Sequence, residues 1–420
     1  MRINIFNWST SFKKFSGLFL LKIFASILSV VFLMVITNKF TSDEVGSFFV
    51  SFTLLSFLAL LSKFGLDVEV SKRITENEIS KNSKKASTLI ANSIILVIFF
   101  SCSALVFLFI LNRYIYKVPN LNITLLLALP FYSLLLFYST LYKAFDRQYL
   151  SILFENIIIY LILIIFLLFL SSSKFYFIYN FFLILILFNL FLCVRNFKLK
   201  ILLTNFFVKI PSKFSLIKNG FFILLPTTLT ASYGFFDIIM LNNFAPVSSV
   251  SIYSVSSKIS LIISFGISIL NSLLLPIVPS LLQQRKGKEI LFEVFNKIKY
   301  VLLFSIPVFL IFILFPRFIL GFFGSFYESG NISLIILAIF QIFNVLTGGV
   351  TFVLLLSSIK KMVSYVLFIS LIINLILNYF LIPIYFHDGA AFATAFSSIL
   401  SCIFLFFIYY NYLIRLDKIS

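Results

Sequence analysis

Unbroken apolar runs of roughly 18 to 25 residues recur from one end of this chain to the other, and they leave few ways to fold. At 1.5 Å per residue, a helix of that length matches a hydrocarbon layer about 30 Å thick. Strands of a membrane barrel would be about 9 to 11 residues long and would alternate in polarity, which these runs do not. Helices close their own backbone hydrogen bonds, so an all-α polytopic membrane protein follows. Composition agrees: 61% of the 420 residues are hydrophobic, 59 of them Phe, and 11% are charged. Soluble domains carry about a quarter charged residues.

The runs predict twelve spans, near 15–37, 47–66, 89–111, 121–140, 150–170, 175–193, 221–243, 250–280, 299–315, 331–356, 362–384 and 390–410. Their orientation follows from the basic residues between them. With a cytoplasmic N-terminus, the opposite face holds Lys39, Arg113, Lys117, Lys174 and Arg317, and nearly all other lysines and arginines fall inside. Both termini are therefore expected in the cytoplasm. The net charge of +19 is an orientation signal and an attraction to anionic membrane lipids. It is spread over short loops and forms no compact element for reading nucleic acid.

A basic break divides the chain. Residues 1–194 form an expected N-terminal six-helix bundle, 195–220 a cytoplasmic connector with Lys198, Lys200, Lys209, Lys213 and Lys218, and 221–420 a C-terminal six-helix bundle. Six crossings return the chain to its starting side, so the halves enter the membrane in the same sense, as in parallel-repeat transporters. The turns Thr41 to Phe48 and Pro246 to Tyr253 occupy equivalent places in the two halves.

Charges at membrane depth are costly and point to cavities or transport. Lys22, Glu155, Asp237 and Lys258 are the four candidates. Asp237 and Lys258 lie at similar depth on either side of one turn, where they could neutralise each other as an ion pair, touch substrate, or move a charge during transport. Lys22 could snorkel to headgroups or attract a phosphate, and Glu155 could be interfacial or couple a proton or cation. Ser257, Ser260, Ser264, Ser268 and Asn271 follow helical spacing as a polar stripe, suited to a cavity wall or a helix contact. Pro130, Pro226, Pro276, Pro279 and Pro307 mark expected bends. His387 beside Asp388 reads as an outer-turn pair without a nucleophile. Cys102, Cys193 and Cys402 are scattered, so neither metal, disulfide nor any cofactor is expected.

Several stretches resemble the polysaccharide flippases of the multidrug/oligosaccharidyl-lipid/polysaccharide exporter superfamily, the O-antigen and capsule repeat-unit transporters. Thr37 to Phe48 is similar to the first outer turn of that family, and Phe64-Gly65-Leu66 with Lys72-Arg73 to the end of its second helix. Asp237 to Met240 with Val250 to Val255 resembles its seventh and eighth helices. Asn374 to Asn378, Leu381-Ile382-Pro383 and Gly389 to Thr394 resemble its eleventh-to-twelfth junction. Ser251 stands where Gly is common in the family.

The resemblance implies a V-shaped pair of six-helix bundles in the bacterial inner membrane around a cationic cavity. It implies export of undecaprenyl-diphosphate-linked oligosaccharide from inner to outer leaflet, with a polysaccharide polymerase and a chain-length regulator as companions. Unaided crossing would strip water from both diphosphate and glycan, a large cost that ammonium groups, hydroxyls and amides could offset. Without a nucleotide-binding loop, drive would come from membrane potential, product consumption, or a proton or sodium gradient. A drug or metabolite exporter of the same superfamily is the nearest rival. A polymerase is less suited, because the largest outer loop, 316–330, carries only Arg317 and Glu328 as charged groups, and an enzyme is not expected.

Overall fold

The computed structural model describes residues 8–75, 83–115, 118–145, 147–169, 175–196, 213–274 and 277–418. Most of the basic connector expected over 195–220, and Pro276, lie outside them. Every regular element described is helical. In chain order these are α1 (Trp8–Lys39), α2 (Ser42–Lys63), α3 (Leu66–Thr75), α4 (Ser83–Ile110), α5 (Ile123–Leu126), α6 (Leu129–Ala144), α7 (Gln148–Ile152), α8 (Ile158–Phe169) and α9 (Phe177–Asn196). They continue with α10 (Lys213–Phe244), α11 (Val247–Ser264), α12 (Ile267–Leu274), α13 (Val278–Gln283), α14 (Gly287–Leu314), α15 (Pro316–Gly321), α16 (Asn331–Leu356) and α17 (Lys360–Lys418).

Ten segments of the described residues are long and apolar enough to cross a membrane, short of the twelve expected. Two causes account for the difference. The run expected at 121–140 is broken at Leu127–Ala128 into α5 and α6, with Pro130 in the first turn of α6, where its missing N–H is harmless. The runs expected at 362–384 and 390–410 join in α17, interrupted at Phe386 by φ 50° and ψ −125°. A third expectation also changes: the long helix at 250–280 is three pieces, with a turn at Phe265–Gly266 and Pro279 opening α13. Pro226 and Pro307 do sit inside helices, α10 and α14.

Much of the apolar surface points outward. Leu303 is 77% exposed and Phe107 64%, an arrangement that water would penalise and hydrocarbon would not.

The chain forms two compact units. The first contains 1–40 and 54–224, the second 41–53 and 225–420, so the opening half of α2 belongs to the C-terminal unit. In the first unit, Leu66 and Val70 of α3, Phe137 and Leu141 of α6, Ile90 and Val97 of α4 and Cys193 of α9 close one core. Tyr142 donates its hydroxyl to the Cys193 carbonyl at 2.7 Å, so the phenol enters this core without an unmet donor. In the second unit α16 is central and packs on α11, α14 and α17.

The joint between α2 and α3 explains one sequence requirement. Phe64 and Gly65 both have positive φ, 51° and 67°, and a Cβ on Gly65 would lie 2.2 Å from the Gly220 carbonyl oxygen. A side chain there meets an unfavourable left-handed backbone, about 1–2 kcal/mol, and a backbone collision besides. Gly65→Ala is expected to lower the thermal midpoint of the detergent-purified protein clearly. Gly234 of α10 offers the contrast, because a Cβ added there would meet nothing within 4 Å. Gly234→Ala is expected to leave the midpoint unchanged or raise it. Equal midpoints for the two variants would contradict the joint's role.

Candidate functional site

The second unit holds a carboxylate with no access to solvent. Asp237 of α10 is 0% exposed, and four side chains donate to it. Its Oδ2 accepts from the Tyr253 hydroxyl of α11 and the Thr394 hydroxyl of α17. Its Oδ1 accepts from Asn378 Nδ2 at 2.7 Å and Asn374 Nδ2 at 3.2 Å. The donors also bind one another: Asn378 Nδ2 lies 3.2 Å from Asn374 Oδ1, and Asn374 Nδ2 lies 3.1 Å from Thr394 Oγ1. The Asn378 Oδ1 atom is buried with no hydrogen-bond partner among the described residues.

Local structure sets up this cluster. Asn374 and Asn378 are one helical turn apart on the first part of α17 and so share a face. The interruption at Phe386 returns the chain so that Thr394 reaches Asn374. On the other side, the short link around Ala245–Pro246 turns α10 into α11 and brings Tyr253 to Asp237. Four donors go far to replace the hydration a buried carboxylate loses, and the cluster ties three helical elements through one group. Its oxygens, from carboxylate, amide and hydroxyl, are the hard ligands that suit a proton or a small hard cation.

Lys258 is not part of it. Its ammonium lies 5.3 Å from the Phe49 ring centroid and 5.7 Å from that of Phe52, and it forms no ion pair among the described residues. The expected Asp237–Lys258 neutralisation is therefore not formed. Depth along the helices is a fair guide, but direction around α11 decides: Lys258 is five positions beyond Tyr253, about 140° around the helix. The side chain is exposed.

The serine stripe is divided between two helices. Ser260 Oγ donates to the Ser257 carbonyl at 2.8 Å and Ser264 Oγ to that of Leu261 at 3.1 Å, each within its own helix. Ser268 of α12 donates to the Phe265 carbonyl in the turn that precedes that helix, at 3.1 Å. The turn at Phe265–Gly266 puts Asn271 on α12, separate from α11, with its Oδ1 buried and unpartnered among the described residues. Such back-bonding places each hydroxyl proton on the backbone and leaves the oxygen its acceptor capacity.

In the first unit Glu155 gathers a hydroxyl and a cation. Glu155 sits in a π-helical turn, Leu153–Ile157, and its Oε2 accepts from Ser139 Oγ at 2.5 Å and Lys143 Nζ at 3.3 Å. Ser151 joins through Ser139 at 2.7 Å, and Lys22 is within electrostatic range of both Lys143 and Glu155. Lys143, legible in the sequence only as a loop cation, is the residue missed here. Asp67 and Glu69 are buried and paired with Lys63 and Arg73, each at 2.7 Å. Ser333 Oγ donates to Asp388 Oδ1 at 2.6 Å and lies 3.0 Å from His387 Nδ1. That serine is bound to the carboxylate directly, which is not the geometry of an activated nucleophile.

In the sequence Asp237 stands out as a charge at membrane depth, while Asn374 and Asn378 appear only within a family-like stretch unconnected to it. The four-residue spacing of Asn374 and Asn378 is the available signal for a shared polar face.

Residues 11–282 match the family described as polysaccharide biosynthesis protein, and residues 223–380 match the MatE family. Among solved structures, an inward-facing multidrug resistance MATE family transporter of the MOP superfamily superposes with a TM-score of 0.71 at 12% identity, covering 94% of this chain and 96% of that one. The lipid II flippase MurJ in an inward closed conformation gives 0.62 at 16% identity, covering 96% and 90%. The Vibrio cholerae MATE transporter VcmN gives 0.61 at 13% identity, covering 95% and 98%. At such identities the likeness establishes the fold. No curated protein matches the sequence. A multi-span helical fold shared with MATE transporters and a sequence match over most of its length make this chain a membrane transporter of the MOP superfamily, belonging to the polysaccharide biosynthesis protein family.

Proposed function

We propose that this chain is an ion-coupled transporter in which Asp237 is the ion-responsive group. The single observation carrying this reading is a fully buried carboxylate held by donors from α11 and α17 beside an unpartnered amide oxygen. A proton or sodium ion arriving there would cancel the buried charge and draw the oxygens inward. Its departure would leave the charge to the four donors. Occupancy thus favours one packing of three helices over another, and an ion can shift such an equilibrium only by its difference in affinity for the two.

Two cargoes divide the support. The solved structures named above include more MATE transporters than lipid flippases, and that balance supports export of a drug or metabolite. They share no more than 16% identity with this chain, however, and speak to fold. The sequence match over 11–282 is to a polysaccharide biosynthesis family, and on that observation we infer a lipid-linked oligosaccharide, carried from the inner to the outer leaflet. Lys22 in the first unit and Lys258 in the second are both exposed at membrane level, as an anionic diphosphate cargo would require. In this reading the chain crosses the inner membrane twelve times, α5 and α6 making one broken crossing and α17 two, with both termini cytoplasmic.

Vesicles containing the purified protein, a lipid-linked oligosaccharide and an imposed proton or sodium gradient decide between the cargoes. The glycan is expected to become accessible to an impermeant reagent faster than in protein-free vesicles. A protein-free rate for glycan, together with gradient-driven movement of a soluble cationic drug, would establish the alternative. Asp237→Asn is expected to reach the membrane and lose at least about tenfold of the gradient-stimulated rate, equivalent to about 1.4 kcal/mol of barrier. Full stimulation in that variant would remove Asp237 from coupling. Lys258→Ala is expected to reduce transport more than abundance, and unchanged transport at equal membrane level would exclude it from the cargo path.

A further inference from the structure

The connection between the apolar helices α14 and α16 forms a pocket that neither the coupling cluster nor the proposed cargo path uses. Gly324, with φ 112° and ψ 149°, turns the chain between α15 and the short 3-10 helix Ser325–Gly330, so the two face each other. Arg317, Phe318, Gly321, Phe322 and Glu328 line a cavity of about 410 Å³. Only a residue without a side chain adopts the Gly324 backbone readily. Leu320 and Phe323 anchor the turn inward at 0% and 1% exposure, and Phe318 and Phe322 stay outside with their rings 5.0 Å apart, edge to face.

The charges decide what could enter. Arg317 and Glu328 border the same cavity, yet among the described residues neither forms an ion pair. An exposed guanidinium beside aromatic rings suits a phosphate, which it can bind through two parallel N–H groups. A carboxylate across the cavity suits an ammonium. The pocket follows one membrane-length helix and precedes another, which puts it where headgroups begin, a level that aromatic side chains favour. A ligand with phosphate, primary amine and apolar tails matches all three features.

We propose that this pocket binds the headgroup of an aminophospholipid. The phosphate lies on Arg317, the ammonium donates to Glu328, and the acyl chains run along Phe318 and Phe322. Gly321 keeps the floor open, since a Cβ there would stand 3.3 Å from Glu328 Oε1. The site would fasten the α14–α16 link to one leaflet and make the behaviour of this unit depend on lipid composition.

Native mass spectrometry of the full-length protein, titrated with phosphatidylethanolamine, phosphatidylcholine and phosphatidylglycerol of identical acyl chains, tests this. Phosphatidylethanolamine is expected to bind tightest, because its ammonium has N–H donors that the methylated choline lacks. Arg317→Ala is expected to weaken all three lipids, phosphatidylethanolamine by about tenfold, as for loss of a charge-assisted pair. Glu328→Gln is expected to bring phosphatidylethanolamine down to the phosphatidylcholine level without weakening phosphatidylglycerol. Equal affinities in the wild-type protein would overturn the proposal, as would tighter binding of a lipid-linked oligosaccharide than of all three. So would an intact phosphatidylethanolamine preference in Glu328→Gln. Both variants change partly or fully exposed side chains, and matching lipid-free thermal midpoints will show that the fold is retained.

Discussion

Hydrocarbon offers no hydrogen bonds, and this constraint governs the whole architecture. Each backbone group at membrane depth needs a partner within the protein, which is why the described elements are helices and why every interruption demands a repair. Two repairs are visible. The π-helical turn at Leu153–Ile157 has its Phe154 carbonyl met by Asn189 Nδ2 at 2.7 Å. Near the turn that ends α11, Ser305 of α14 donates to the Ile263 carbonyl at 2.6 Å. A polar residue in an apolar helix can thus be structural support for a neighbour's broken backbone. Asn189 and Ser305 read that way, and Asp237 does not, because what surrounds it are side chains competing for a charge.

That contrast separates the two polar clusters. In the first unit, Glu155 is partly open and meets a cation, Lys143, as well as a hydroxyl. Exposed pairs of this kind exchange partners at small cost. In the second unit, Asp237 is sealed and held by neutral donors alone, where any change of charge must be answered by movement of several side chains. The units have similar ingredients at membrane depth but differ in how tightly the charge is enclosed.

How much of this is legible in the sequence depends on which direction a feature runs. Position along the chain is readable: the apolar runs locate α1, α2, α4, α9, α10, α14 and α16 to within a turn or two at most ends. Breaks inside a run are not, because Leu127–Ala128 and Phe265–Gly266 are as apolar as their surroundings and differ only in backbone angles. Direction around a helix is the other blind spot. Lys258 has the right depth to meet Asp237 and the wrong azimuth, whereas Asn374, Asn378 and Thr394 are remote from Asp237 in sequence, and Thr394 joins the two asparagines only through the reversal at Phe386. The buried carboxylate is therefore visible in the sequence while its partners stay scattered.

The opening half of α2 carries a consequence for how the protein is made. Residues 41–53 belong with 225–420, and Val45, Phe48, Phe49 and Val50 within them are at most 1% exposed in the finished structure. A ribosome delivers this segment long before the residues it packs with exist. Until the C-terminal unit has been inserted, those side chains must be kept by lipid or by an insertase, and the helix waits in the bilayer as an unfinished surface. Biogenesis of this chain therefore cannot proceed as one completed half followed by another; the first half acquires its last packed residues only when the second arrives.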